Sequence, residues 1–188
     1  MPEFDIGKKI KALRLEKGLT IQKLAREASF SPALISQIEN DNISPPIATL
    51  ARIAKVLKVR MTSFFDEGND DLKFEVVRKN EGRKVKRVIS KLGTKQGYLY
   101  DALAFRKKNR KMQPFLLTIK TAVLDEKSLY SHEGEEFLMV LKGSAEMVYD
   151  GERIILNEGD SIYFDSSSRH RLLSHGKKPA KVLVVLCR

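Results

Sequence analysis

The apolar residues of this 188-residue chain change their period once, across an acidic stretch that contains none of them, Asp66-Glu67-Gly68-Asn69-Asp70-Asp71. Before it they recur every three or four residues, the spacing that lines one face of a helix. After it they come in short runs cut by turn residues, the pattern of strands. A helix-period pattern cannot bury its face as a strand, nor the reverse. The chain is therefore expected to fold as a multi-domain α + β protein. An all-α domain occupies residues 1–66, a linker residues 67–72 and an all-β domain residues 73–188.

Local signals divide the first part into five helices. Ile6, Ile10 and Leu13 share a face, and Gly18 stands where a helix ends on a left-handed residue. Thr20 is placed to cap a second helix over 21–28, with Leu24, Ala25 and Ala28 inward. Ser31-Pro32 opens a third, a hydroxyl cap followed by proline at the first helical position, with Ile35 and Ile38 on its inner face. A fourth carries the stripe Ile47, Leu50, Ile53, Ala54 and Leu57, and Thr62 is placed to cap a short fifth with Phe64 and Phe65. In the second part, strands are predicted over 74–78, 98–104, 115–121, 137–141, 145–149, 153–156, 161–164 and 181–186. Asp150-Gly151 between two of them predicts a type I′ hairpin. Many short strands at close spacing predict a sandwich or barrel.

The formal net charge of +11 points to polyanionic partners, but its distribution matters more than its size. Residues 1–70 carry 11 Lys and Arg against 9 Asp and Glu, residues 71–127 carry 16 against 6, and residues 128–188 carry 8 against 9. The excess thus sits in the middle, in the basic runs at 83–87 and 106–111. Two readings stand side by side: a solvated face, or a contribution to binding DNA or an anionic effector. No run of about 18 apolar residues is present, so no membrane partner is expected. The start of the chain lacks the basic-then-apolar pattern of a leader. Cys187 is the only cysteine, which rules out a disulfide framework and suits a cytoplasmic, reducing setting.

Three segments of the helical part, 6–14, 18–25 and 31–40, resemble the lambda-repressor-type (XRE family) helix-turn-helix domain, and the likeness covers about residues 5–66. The resemblance implies that the third helix enters a DNA major groove with its N-terminal residues on base edges. Ser31, Pro32, Ala33, Ser36 and Gln37 then face the bases; Gln37 can bond bidentately to adenine and Ala33 can meet a thymine methyl. Thr20, Gln22, Asn40 and Asn42 fall where the family touches phosphates. It further implies an internal brace between Arg14 and Glu39. One departure is Ser29, at a turn position where the family favours glycine; in a left-handed conformation serine costs about 1 kcal/mol there.

The segments His132-Glu133-Gly134-Glu135-Glu136…Gly143 and Gly159-Asp160…His170 resemble the two motifs of the cupin domain, a small double-stranded β-helix or jelly-roll barrel. The likeness covers about residues 112–188, and it implies metal ligands at His132, Glu136 and His170. Tyr130 stands where a further metal histidine belongs, so a closed four-ligand site is not expected. Two histidines and one carboxylate can still hold a divalent first-row ion with open positions. Otherwise the two histidines are pocket residues bonded to Glu136 or to backbone. Tyr130, His132, Glu136, Tyr163 and His170 are the expected lining of an effector pocket, with Tyr100 a further candidate. Such a lining suits a polyamine, an amino acid or a small organic acid; Glu136 favours a cation, whereas the basic middle segment favours an anion.

Together the two resemblances imply a transcriptional regulator and not an enzyme. Its cupin domain would bind a small-molecule effector and adjust the grip of a homodimer on a near-palindromic double-stranded operator. The alternative is a metal-dependent cupin enzyme, of dioxygenase or isomerase type, with an accessory DNA-binding domain. The missing ligand at Tyr130 weighs against it.

Overall fold

A computed structural model describes residues 3–43, 45, 47–66, 72–85, 98–120 and 129–187. The helical domain contains α1 (Ile6–Glu16), α2 (Ile21–Glu27), α3 (Pro32–Glu39) and α4 (Ile47–Leu57). The fifth expected helix is instead a 3-10 turn, Met61–Phe65, entered from Arg60 and not capped by Thr62. Five residues holding Phe64 and Phe65 in the core are too few for a regular α-helix, and a tight turn serves as well. Ile10, Leu24, Ile35, Ile38, Leu50, Ile53, Leu57, Phe64 and Phe65 are each at most 1% exposed and form the centre of this domain. Each such side chain contributes about 1.5–3 kcal/mol on burial.

The β part is a barrel of two sheets. Strands β1 (Glu3–Phe4), β2 (Arg83–Val85), β3 (Tyr98–Ala102), β4 (Met112–Ile119), β10 (Ala180–Cys187), β5 (Glu135–Lys142) and β8 (Ser161–Asp165) form one, in that order. Strands β7 (Glu152–Leu156), β6 (Ala145–Tyr149) and β9 (His170–Ser174) form the other. Burial alternates along β4, β5 and β10, so Phe115, Leu117, Ile119, Leu138, Val140, Val182, Val184 and Leu186 face the interior. Between β6 and β7, Asp150 and Gly151 have φ of 49° and 89°, the two positive values a type I′ turn requires.

Three elements depart from the sequence expectation. Segment 74–78 is not a strand. It is pinned through Glu75, whose carboxylate accepts from the backbone N–H of Phe105 and Arg106 at 3.2 and 2.9 Å. Strand β9 was not expected, because all five of its residues are buried and no alternation marks it. Strands β1 and β2 pair in parallel, Glu3 with Lys84 and Phe4 with Val85, so the segment before α1 joins the barrel's sheet.

The two domains pack against each other. Phe65 meets Phe115 edge-on at 5.0 Å between ring centroids. Asp66 approaches Arg110 at 2.7 Å, and Lys55 of α4 reaches Glu133 at 3.0 Å. Most of the expected linker, 67–71, lies outside the described residues.

Candidate functional site

In the helical domain, both caps read from the sequence are formed. Thr20 Oγ1 accepts from the Lys23 N–H at 3.1 Å, and Ser31 Oγ accepts from the Leu34 N–H at 3.2 Å, with Pro32 in the first turn. These caps fix where α2 and α3 begin, and so which residues lie at the open end of α3. Between the helices, Ser29 takes the left-handed conformation, φ 55°. Thr20, Gln22, Ser31, Pro32, Ala33, Asn40 and Asn42 are exposed, and Ser36 and Gln37 are half-buried. Asn40 Nδ2 donates to the Ser36 carbonyl at 2.9 Å, which ties its amide to α3 itself.

The attitude of α3 is set from α1. Arg14 donates to both carboxylate oxygens of Glu39, Nε to Oε1 at 2.6 Å and Nη2 to Oε2 at 2.8 Å, and through Nη1 to the Leu19 carbonyl at 2.8 Å. Both residues are buried, and the hydrogen bonds to Glu39 hold the Arg14 guanidinium above its ordinary pKa against the effect of burial. A bidentate pair at this depth fixes orientation as well as distance. A second clamp escaped the sequence reading. The Gly7 N–H donates to Asp41 Oδ1 at 3.0 Å, and a Cβ at Gly7 would sit 2.1 Å from the Ile38 carbonyl oxygen. A glycine inside an otherwise helical pattern is the signal that could have exposed it.

In the barrel, β5 carries Glu136, β9 carries His170 and the segment before β5 carries His132. Their ligand atoms lie within 4.8 Å of one another. Glu136 Oε1 is 2.7 Å from His132 Nε2 and 3.5 Å from His170 Nε2, and it accepts from Ser166 Oγ at 3.3 Å. All three side chains of the triad are at most 8% exposed. The opposite nitrogens face backbone carbonyls. His132 Nδ1 faces the Glu133 carbonyl at 3.2 Å and His170 Nδ1 faces the Ser168 carbonyl at 2.9 Å. A carbonyl only accepts, so each Nδ1 carries a proton there, and each Nε2 is turned toward Glu136.

Both Nε2 atoms are buried without a hydrogen bond, so their approach to Glu136 is one of charge proximity and not of alignment. Two imidazole nitrogens and a carboxylate meeting out of water need a positive charge among them, a proton or a metal ion. Burial pushes the Glu136 carboxyl up, but the two imidazoles outweigh it and hold the pKa at about 2. The group is thus a carboxylate ready to bind a cation.

Tyr130 joins this site from the side. It forms a two-way backbone bridge with His170 and stacks edge-on with its ring at 4.7 Å. Tyr100 also lines the interior. Tyr163 does not. It is 63% exposed on the edge strand β8, while its neighbour Phe164 is 6% exposed and turns inward. The alternation Ile162, Tyr163, Phe164 carried that information, since only one of two successive residues can face a barrel interior.

The interior hollow is small, about 20 Å³, bounded by Tyr100, Tyr130, Glu136, Met147, Phe164 and His170. A larger cleft of about 310 Å³ opens where the two domains meet. Its helical-domain wall is Ala51, Arg60 and Met61; its barrel wall is residues 109–111, His132, Glu133 and the end of β10. His132 therefore belongs to both the triad and the cleft. In the basic run 106–111, Arg110 is buried and bound to Gln113 Oε1, the Lys107 carbonyl and Asp66, and so is part of the scaffold. Of the run 83–87, residues 86 and 87 lie outside the described residues.

The helix-turn-helix family matches residues 10–64 and the cupin domain family matches residues 117–186. The chain is 25% identical over 164 residues to the HTH-type transcriptional regulator PuuR of Escherichia coli, covering 87% of this chain and 84% of that protein. A crystal structure of an HTH_3 family transcriptional regulator from Vibrio cholerae superposes with a TM-score of 0.66 at 22% identity, covering 98% and 96% of the two chains. The iron(II) form of HppE shares the fold with a TM-score of 0.53 at 22% identity, covering 99% and 100%. Among the described residues, no helix is long and apolar enough to cross a membrane.

Proposed function

We infer that this chain, a helix-turn-helix transcriptional regulator of the lambda-repressor type with a cupin domain behind it, binds double-stranded operator DNA through α3 and adjusts that binding through its barrel. One observation carries the reading: α3 has a capped, exposed N-terminal end, and a buried Arg14–Glu39 pair sets its attitude. Such an end presents Pro32, Ala33, Ser36 and Gln37 to base edges, while Thr20, Gln22, Ser31, Asn40 and Asn42 lie near the flanking phosphates. Two copies, paired through their barrels, read a near-palindromic site. A cytoplasmic setting suits both the DNA partner and the single cysteine.

The barrel senses. Its interior donor set fits a divalent first-row ion, with His132 and His170 giving Nε2 and Glu136 its carboxylate. Such an ion, when bound, would supply a Lewis acid there. Three protein ligands leave the affinity below that of a closed site. Tyr130 and Tyr100 wall an interior hollow of about 20 Å³, the volume of a water or an ion. Regulation requires that the sensed species prefer one arrangement of the two domains, since equal binding to both shifts nothing.

The test is selection of bound duplexes from a randomised pool, followed by fluorescence anisotropy on the selected site. A recovered near-palindrome bound by the chain, and bound more weakly by Gln37→Ala, is the expected result. Failure to enrich any sequence overturns the reading.

A further inference from the structure

We propose that the cleft between the helical domain and the barrel, and not the barrel interior, receives the organic effector, and that this effector is a small anion held by Arg60 and Lys111. The proposal rests on the reading of an effector-controlled regulator and names the place and chemical class of the ligand.

Volume decides the place. The interior hollow of about 20 Å³ suffices for a water or an ion. The cleft of about 310 Å³ lies at the lower end of the range of small-molecule sites, roughly 300–1,000 Å³. Its lining suits an organic molecule: Met61 and Leu186 give apolar walls, with polar and charged groups around them.

Charge decides the class. The barrel's Arg110 is already engaged by Asp66 and Gln113, and Glu133 is answered by Lys55. Arg60 and Lys111 are exposed in the lining, and among the described residues the side chain of neither has an ion pair or hydrogen bond. The cleft thus holds two uncompensated positive charges, one from each domain. Their mutual repulsion opposes the docking of the domains, and an anion between them reverses its sign. A molecule with two acidic groups on a short apolar spacer meets both cations and the apolar walls at once.

Because one cation comes from each domain, the anion binds tightly only when the domains are docked. Arg60 enters the 3-10 turn directly after α4, and α4 shares a core with α3 through Leu50, Ile53, Ile35 and Ile38. Occupancy of the cleft therefore bears on the element that reads DNA. His132 brings the triad to the same wall, so a metal and the anion are neighbours.

The experiment uses the full chain with succinate, glutarate and inorganic phosphate, and 1,4-diaminobutane as the opposite charge, all at matched ionic strength. Thermal unfolding and calorimetric titration are followed for the wild type, Arg60→Gln, Lys111→Gln, and Lys177→Gln as a control on a distant turn. At a hundred times its Kd, a binding dianion raises Tm by about 5 °C or more. Each cleft substitution is expected to weaken it about tenfold or more, and the control not at all. The proposal is overturned if no anion binds, if binding survives both cleft substitutions, or if only the diamine binds. Anisotropy on selected DNA separates the two levels. DNA binding without anion binding removes this proposal and keeps the regulator; anion binding without DNA binding does the opposite.

Discussion

The guanidinium of Arg110 meets the carboxylate of Asp66 at 2.7 Å, joining the barrel to the last residue of the helical domain, and both side chains are nearly closed off from water. Lys9 of α1 also donates to the Asp66 backbone carbonyl. Burial pushes the Asp66 carboxyl up from its ordinary pKa, while Arg110, Lys9 and Lys108 pull it back. These contacts tie the end of the helical domain to the barrel.

Arg110→Ala leaves a buried carboxylate without its main partner, and a loss of about 3 kcal/mol is expected. Without Arg110 the folded-state pKa of Asp66 rises further above its unfolded value. A raised carboxyl stabilises the fold below the unfolded pKa and loses that contribution as pH climbs through the folded one. The deficit of the variant should therefore grow between pH 4 and pH 8. Urea unfolding at both values checks this, and Asp66→Asn in the same background should remove the pH dependence.

For the brace under α3, Arg14→Leu strands the buried Glu39 carboxylate and is expected to cost about 3–5 kcal/mol. The double variant Arg14→Leu with Glu39→Leu should lose much less, because no buried charge is left alone. A double-mutant cycle by chemical unfolding reads the coupling directly. If the two losses simply add, the pair does not act as a unit.

Gln37→Ala is expected to weaken selected DNA by about 1–3 kcal/mol and relax preference at one base pair per half-site. Uniform weakening on all sequences would move Gln37 from base reading to backbone contact.

Protein purified without chelator or a metal-leaching column is expected to take up a first-row divalent ion at one per chain or less. His132→Ala, Glu136→Gln or His170→Ala should each abolish uptake. Elemental analysis after dialysis against iron(II), manganese or zinc measures it. Uptake unchanged in all three variants would place the ion elsewhere.

Ser29→Gly should stabilise the helical domain by about 0.5–1 kcal/mol, since a side chain at φ 55° is strained and glycine is not. A shift of the urea midpoint at constant slope is the readout.

The sequence by itself determined whatever depends on neighbours in the chain. Thr20 and Ser31-Pro32 placed the starts of α2 and α3, Asp150-Gly151 placed a hairpin, and the break in period separated helices from strands. These signals work because a cap or a turn is formed within three or four residues. His132 and Glu136 were legible through their motif, as was His170, 34 positions after Glu136. Only the tertiary structure could show that their ligand atoms converge and that both Nε2 atoms are left unbonded. Tertiary structure likewise decided that β1 joins a strand about eighty residues later, that β9 is buried on both faces, and that Arg110 is scaffold. It also turned Tyr163 outward and put the larger hollow between the domains. Facing and pairing depend on which distant strand or helix lies alongside, and burial can spend a charged residue that looks like surface in the sequence.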